Sequence, residues 1–188
     1  MPSRPRPGPR PRPTDTKQRI LAVARELFTR QGVQRTSLQD IADRLGITKP
    51  ALYYHFSSRE ELVRSIVQAI IDEEEAFLAG HEALAEVDPR VLLESYFDFH
   101  YHHRAEMTLM LNELTTLADL GLVDRAMGWR RRLGKLLYGP EPTLEQATRA
   151  AIAIGGIQDC TLQFPDVPRE ELRRAAVAGA CAALGVAP

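Results

Sequence analysis

The chain of 188 residues is poor in cysteine and in aromatic side chains, and it holds no long apolar run. Its two cysteines, Cys160 and Cys181, are too few for a disulfide framework and fit a reducing cytoplasm, where the protein is expected to reside. Apolar runs extend only a few residues, as at Ile152-Ala153-Ile154, far short of the roughly 18 that cross a bilayer. The opening MPSRPRPGPRPRP has basic residues but no apolar stretch, unlike a secretory signal. Period-2 alternation is absent, which argues against strands. Enzyme signatures are missing as well. Ala85 stands where a zinc motif begun by His81-Glu82 needs its second histidine, and five residues rather than four separate Gly128 from Gly134-Lys135, so no P-loop forms. Neither G-x-S-x-G nor C-x-x-C occurs. The expectation is a protein that is not an enzyme and carries no cofactor.

What is present is an uneven charge. Residues 1 to 64 hold 13 Lys and Arg against 6 Asp and Glu, a net +7, whereas the remainder holds 11 against 19, a net −8. Such asymmetry points to a polyanion-binding first part joined to something else. The first 13 residues add six prolines and four arginines. Proline lacks the donor a helix needs, so residues 1–14 are expected to be a disordered, extended basic arm. That arm either adds phosphate affinity or affects solubility alone; composition does not choose between the two.

The rest reads as helices. Ile20, Leu21, Ala24, Leu27 and Phe28 recur on one helical face until Gly32. A short second helix runs from Ser37 to Leu45, with Leu38, Ile41, Ala42 and Leu45 inward and Gly46 ending it. Thr48 caps a third, Lys49 to His55, with Pro50 in the first turn where a missing N–H costs little. Ser58 and Glu61 have capping-box spacing for a fourth helix that reaches toward Gly80. Further helices are expected at Pro89–His103, Ala105–Leu120, Val123–Tyr138, Leu144–Gln163 and Arg169–Leu184, separated by Gly- and Pro-containing breaks. Thr143 and Gln146 form a second capping box. The fold class is all-α.

Two short helices about the tight Gly46-Ile47 turn make a helix-turn-helix, whose second helix presents side chains to the major groove. Here that helix offers Lys49, Tyr53, Tyr54 and His55 within the basic segment. The run from Gln39 to Phe56, with Ile41-Ala42, Leu45-Gly46-Ile47, Ala51-Leu52-Tyr53-Tyr54-His55-Phe56 and then Arg59-Glu60-Glu61-Leu62, resembles the DNA-binding domain of the TetR family of transcriptional regulators. The resemblance covers about residues 15 to 64. It implies a helix-turn-helix DNA-binding domain over 15–60 and a ligand-binding and dimerisation domain over 61–188. By position, Ser37, Thr48, Tyr54 and Arg59 would contact phosphates, and Lys49, Pro50, Tyr53 and His55 would lie in or beside the groove. Leu38, Ile41, Leu45, Leu52 and Phe56 would be core. Pro50 departs from the Gly, Ala or small polar residue of many relatives and removes a backbone donor there. Implied partners are double-stranded DNA with a pseudo-palindromic operator, a small-molecule effector and a second copy of the chain; no membrane is implied.

In the second part, the Leu144–Gln163 and Arg169–Leu184 helices are rich in Ala and Gly, which lets helix axes approach closely either within one subunit or across a dimer. Tyr96, Phe97, Phe99 and Tyr101 put four of the chain's twelve aromatic residues within six positions. An apolar pocket of Tyr96, Phe97, His100, Tyr101, Met107, Met110, Leu111, Leu114, Trp129 and Phe164 is one reading, and an ordinary core is the other. His100, His103 and Glu106 share metal-ligand spacing, but histidines lining a pocket or ending a helix are the preferred reading, with no metal. The combined expectation is a ligand-responsive repressor released from its operator by a small, largely apolar molecule, with the fourth helix as pivot. The alternative is a small-molecule or metal-binding helical protein without regulatory DNA binding.

Overall fold

The computed structural model describes residues 13–112 and 122–186, with side chains over 15–112 and 128–186. The expected basic arm through residue 12, and Leu114, lie outside the described residues. Among the described residues there are nine helices and no strand. The chain divides into two compact units between Ile66 and Val67.

The first unit comprises α1 (Pro13–Gln31), α2 (Leu38–Leu45), α3 (Lys49–Tyr53) and the start of α4 (Arg59–Glu82). α1 begins at Pro13, so residues 13 and 14 are helical where an extended arm was expected through residue 14, because a proline in the first turn forfeits no helical hydrogen bond. Ile20, Ala24, Phe28, Ile41, Leu52, Phe56 and Leu62 are buried, while Leu21, Leu27 and Leu45 are half-buried at the edges of their faces. Ser37 and Asp40 cap α2 reciprocally, Asp40 N–H donating to Ser37 Oγ at 3.1 Å and Ser37 N–H to Asp40 Oδ2 at 2.8 Å. Gly46 then turns the chain at φ +66, in the left-handed region. The box expected at α4 forms one residue off: Ser58 Oγ accepts from Glu61 N–H, but the Glu61 carboxylate reaches Ser57 N–H and Oγ instead of Ser58.

The second unit takes the rest of α4, then α5 (Pro89–His102), α6 (Arg104–Asn112), α7 (Leu122–Tyr138), α8 (Leu144–Gln163) and α9 (Arg169–Leu184). α4 runs through Gly80 to Glu82, where its last turn is held by the side chain of Arg132 on α7. α3 stops at Tyr53, two residues before His55. α8 packs against α9, α5 and α7, and α9 also packs against α5. Their core joins Leu78, Leu92, Leu93, Tyr96, Phe97, Trp129, Leu133, Ile154, Ile157, Leu172 and Leu184. α9 is further tied to α5 by Arg169 and Arg173, which reach Asp98 and Glu94. The Trp129 indole N–H donates to the Glu74 carbonyl at 3.0 Å, joining α7 to α4. Arg132 adds a two-pronged ion pair to Glu82 and another to Glu75, each at 2.7 Å.

A Cβ at Gly46 would meet nothing within 4 Å, so the glycine is needed for its φ alone. Gly46→Ala is therefore expected to destabilise the protein by about 1–2 kcal/mol, through backbone strain without a clash. A urea melt followed by circular dichroism checks it, with no loss refuting the need for glycine.

Candidate functional site

The helix-turn-helix sets exposed side chains on a buried anchor. α3 has only five residues, too short to hold itself together in water. It is fixed by Thr48, whose Oγ1 accepts from Ala51 N–H, and by Leu52, which is fully buried. Opposite Leu52 stand Lys49, Pro50, Tyr53 and Tyr54, all exposed, Tyr54 at 83%. Lys49 Nζ lies 5.7 Å from the Tyr53 ring centre, and Tyr54 meets His55 edge-on at 5.1 Å. Ser37 and Thr48 use a lone pair to cap helices, which leaves each hydroxyl proton available to donate elsewhere. The bonds from Ser37 hold the Asp40 carboxyl below the usual carboxylate range, so this cap stays anionic. An open groove of about 430 Å³ brings together Ser37, Lys49, Tyr53 and Arg59, with Arg35 and Gln39 beside them. Thr48, Tyr54 and His55 are not in its lining. Arg59 is half-buried and donates to the carbonyls of Gln34 at 3.0 Å and Val33 at 3.4 Å. Its guanidinium thereby closes the loop before α2.

In the second unit the aromatic residues of α5 meet α7. Tyr96 and His100 have ring centres 4.3 Å apart, and Trp129 lies 5.4 Å from Tyr96 and 6.1 Å from His100. All three are buried, as are Phe97 and Met107. Burial pushes the His100 pKa down to about 3, with Arg130 and His103 adding to it. Burial also pushes the Tyr96 hydroxyl far above its ordinary value. Phe97 stacks on Tyr101, which is half-buried beneath Arg104. Met110 is half-buried, Leu111 is 52% exposed, and Phe164 lies apart, lining a groove of about 280 Å³ between α8 and α9. The helix breaks at His103, whose Nε2 turns to Glu73 Oε2 at 3.0 Å, so His100, His103 and Glu106 do not share one continuous helix face. Among the described residues no group of three or more His, Cys, Asp or Glu is placed to hold a metal ion.

Residues 20–66 match the family model described as bacterial regulatory proteins, tetR family. Over 157 residues the chain is 27% identical to the HTH-type transcriptional regulator TtgR of Pseudomonas putida, covering 74% of this chain and 75% of that protein. The crystal structure of a transcriptional regulator (TerR/AcrR family) from Aquifex aeolicus VF5 superposes with a TM-score of 0.75 at 25% identity, covering 87% of this chain and 96% of the other. Residues 20–66 are therefore a TetR-family regulatory domain, and most of the chain's length is similar to TetR-family transcriptional regulators. A further relative, the HTH-type transcriptional repressor KstR2 of Mycobacterium tuberculosis, is 29% identical over 106 residues, 53% of this chain and 52% of that one.

Within the TetR frame, Arg35 and Gln39 are groove residues that the motif did not single out. Arg35 sits in the loop after Gly32, and only the basic excess of the first 64 residues hinted at it. No helix among the described residues is long and apolar enough to cross a membrane.

Two substitutions separate structure from recognition. Arg59→Ala is expected to lower stability by roughly 1 kcal/mol, since the part-buried Val33 carbonyl and the exposed Gln34 carbonyl lose a charged donor. Lys49→Ala is expected to leave the melting temperature unchanged while DNA affinity falls about tenfold. Thermal melts beside DNA titrations of both variants distinguish these roles, and a Lys49→Ala protein that binds like its parent removes Lys49 from the interface.

Proposed function

We propose that this chain is a ligand-responsive repressor of the TetR family. The observation that carries the reading is the display of Lys49, Tyr53 and Tyr54 from a helix anchored by fully buried Leu52, beside Ser37 and Arg59. In this reading Ser37, Thr48, Tyr54 and Arg59 position the protein on phosphates. Lys49, Pro50, Tyr53 and His55 lie at the base edges that specify sequence. With one long basic side chain on α3, groove shape contributes to specificity alongside direct contacts. The naming of a relative as a repressor supports the sign of regulation.

The active species is a homodimer, whose two α3 helices enter successive major grooves about 34–36 Å apart on a pseudo-palindromic operator. The face that pairs is the outer side of α8 and α9, where Ile152 and Phe164 are 65% and 47% exposed beside Gly156, Ala175 and Gly179. A small, largely uncharged effector enters the α5–α7 aromatic centre and favours a state with different helix spacing. A hundredfold release from DNA needs only about 2.7 kcal/mol of such coupling. α4 is the connecting element, since it runs unbroken from Arg59 to Glu82 across the division between the units.

A titration against the intergenic DNA upstream of the gene, with scrambled DNA as control, tests the regulator. At about 150 mM salt the operator is expected to bind at least about a thousandfold tighter than the control. Equal binding to both, lost steeply with salt, would refute it. The dimer face has its own test. Ile152→Glu is expected to give a folded monomer by size-exclusion chromatography with light scattering, and operator affinity at least about a hundredfold weaker. An unchanged dimer places the interface elsewhere.

A further inference from the structure

Folded proteins keep few buried polar atoms without a hydrogen-bond partner, because each has given up water for nothing. The second unit has three of them together. Tyr96 Oη and both ring nitrogens of His100 have no partner among the described residues, though Tyr96 is 1% and His100 2% exposed. They sit one helical turn apart on α5, with ring centres 4.3 Å from each other. No misplaced backbone explains them, since α5 is regular and capped at Asp88. The atoms instead form a compact polar spot in an aromatic surround.

The kind of molecule that completes the spot follows from its chemistry. Burial keeps the imidazole neutral, so one nitrogen donates and the other accepts. The Tyr96 hydroxyl does both, and burial keeps it protonated. The spot therefore offers donors and acceptors without charge. Arg130, whose charge acts on both groups, is hydrogen-bonded to Gln158 Oε1, and the charges of Glu74 and Asp159 act on Tyr96 in the opposite direction. A carboxylate or phosphate would lose its hydration for the Arg130 charge alone, with Glu74 and Asp159 opposing it. The surround is flat. Trp129 approaches both rings, and Phe99 lies 5.6 Å from His100. The Trp129 N–H is already committed to the Glu74 carbonyl, so the indole contributes its ring. Trp129 also lines a cavity of about 220 Å³ with Ile71, Glu74, Glu75, Gly128 and Arg132, a lining that does not include Tyr96 or His100.

We propose that Tyr96 and His100 are the polar anchor of the effector site, and that the effector is an uncharged aromatic molecule bearing a hydroxyl group. Its hydroxyl donates to one imidazole nitrogen and accepts from Tyr96 Oη, while its ring lies against Trp129. This rests on the reading of the second unit as an effector-binding domain and names the chemistry that site takes.

Trp129 is the sole tryptophan of the chain, so its fluorescence reports the site directly. Full-length protein is titrated with 4-ethylphenol, 4-ethyltoluene, 4-ethylbenzoate and 4-ethylbenzylamine. Saturable quenching is expected with 4-ethylphenol, at an affinity at least about tenfold above each of the others. Tyr96→Phe and His100→Leu are each expected to weaken 4-ethylphenol about tenfold and leave 4-ethyltoluene unchanged. Neither variant is expected to melt below its parent, because each removes a polar group that has no hydrogen-bond partner among the described residues. The proposal is overturned by phenol and toluene binding alike, by a charged probe binding best, or by both variants melting lower with phenol affinity intact. Operator titrations in parallel separate the two levels. Phenol binding without any change at the operator supports the site and counts against effector-controlled repression, whereas operator binding by a protein whose Trp129 ignores 4-ethylphenol overturns the site alone.

Discussion

A helix of five residues cannot exist by its own hydrogen bonds, and the proposed DNA-binding surface depends on getting round that limit. The solution is to surround α3 with fixed points. Gly46 sets the direction of entry, Thr48 satisfies an N-terminal donor, and Leu52 and Phe56 are clamped in the core. With those four residues holding the backbone, Lys49, Tyr53 and Tyr54 are released from any packing duty. Arg59 extends the same economy to the loop before α2, since one guanidinium holds two carbonyls. Recognition chemistry in this unit is thus carried by side chains whose positions are decided by their neighbours.

Much of this was legible in the sequence because the signals are local. Gly46, Thr48 and the Thr143-x-x-Gln146 box mark helix ends through backbone chemistry that needs no tertiary context, and α7, α8 and α9 follow the expected spans within a residue. The misplaced ends have equally local causes. Proline at an N-terminus costs nothing, so α1 starts early, and Gly80 does not stop α4 while Arg132 grips the turn beyond it. What sequence did not reveal was long-range. The Arg59 bonds to Val33 and Gln34 span about 25 positions, and Trp129 finds its carbonyl on another helix.

The candidate effector centre shows the same division. Four aromatic residues in six positions announce a buried helix, yet periodicity is silent on whether polar atoms inside it are satisfied. Tyr96 and His100 share a face by their spacing of four, but their lack of partners is a property of everything packed around them. His103, three residues later, meets Glu73 and so takes a different role from its neighbour despite identical chemistry. Position in the packing, more than residue type, separates the two histidines.

The two last helices begin in different ways, and this bears on the order in which they come apart. α8 carries its own cap, with Thr143 and Gln146 each satisfying the other's backbone, so its first turn needs no contact with another helix. α9 starts at Pro168 without a side-chain cap and relies on Arg169 and Arg173 reaching Asp98 and Glu94 on α5. Its opening turn therefore lasts only as long as those partners stay in place. In native-state hydrogen exchange the amides at the start of α9 should open by local fraying, ahead of the unit as a whole, while those of α8 persist until its packing is lost.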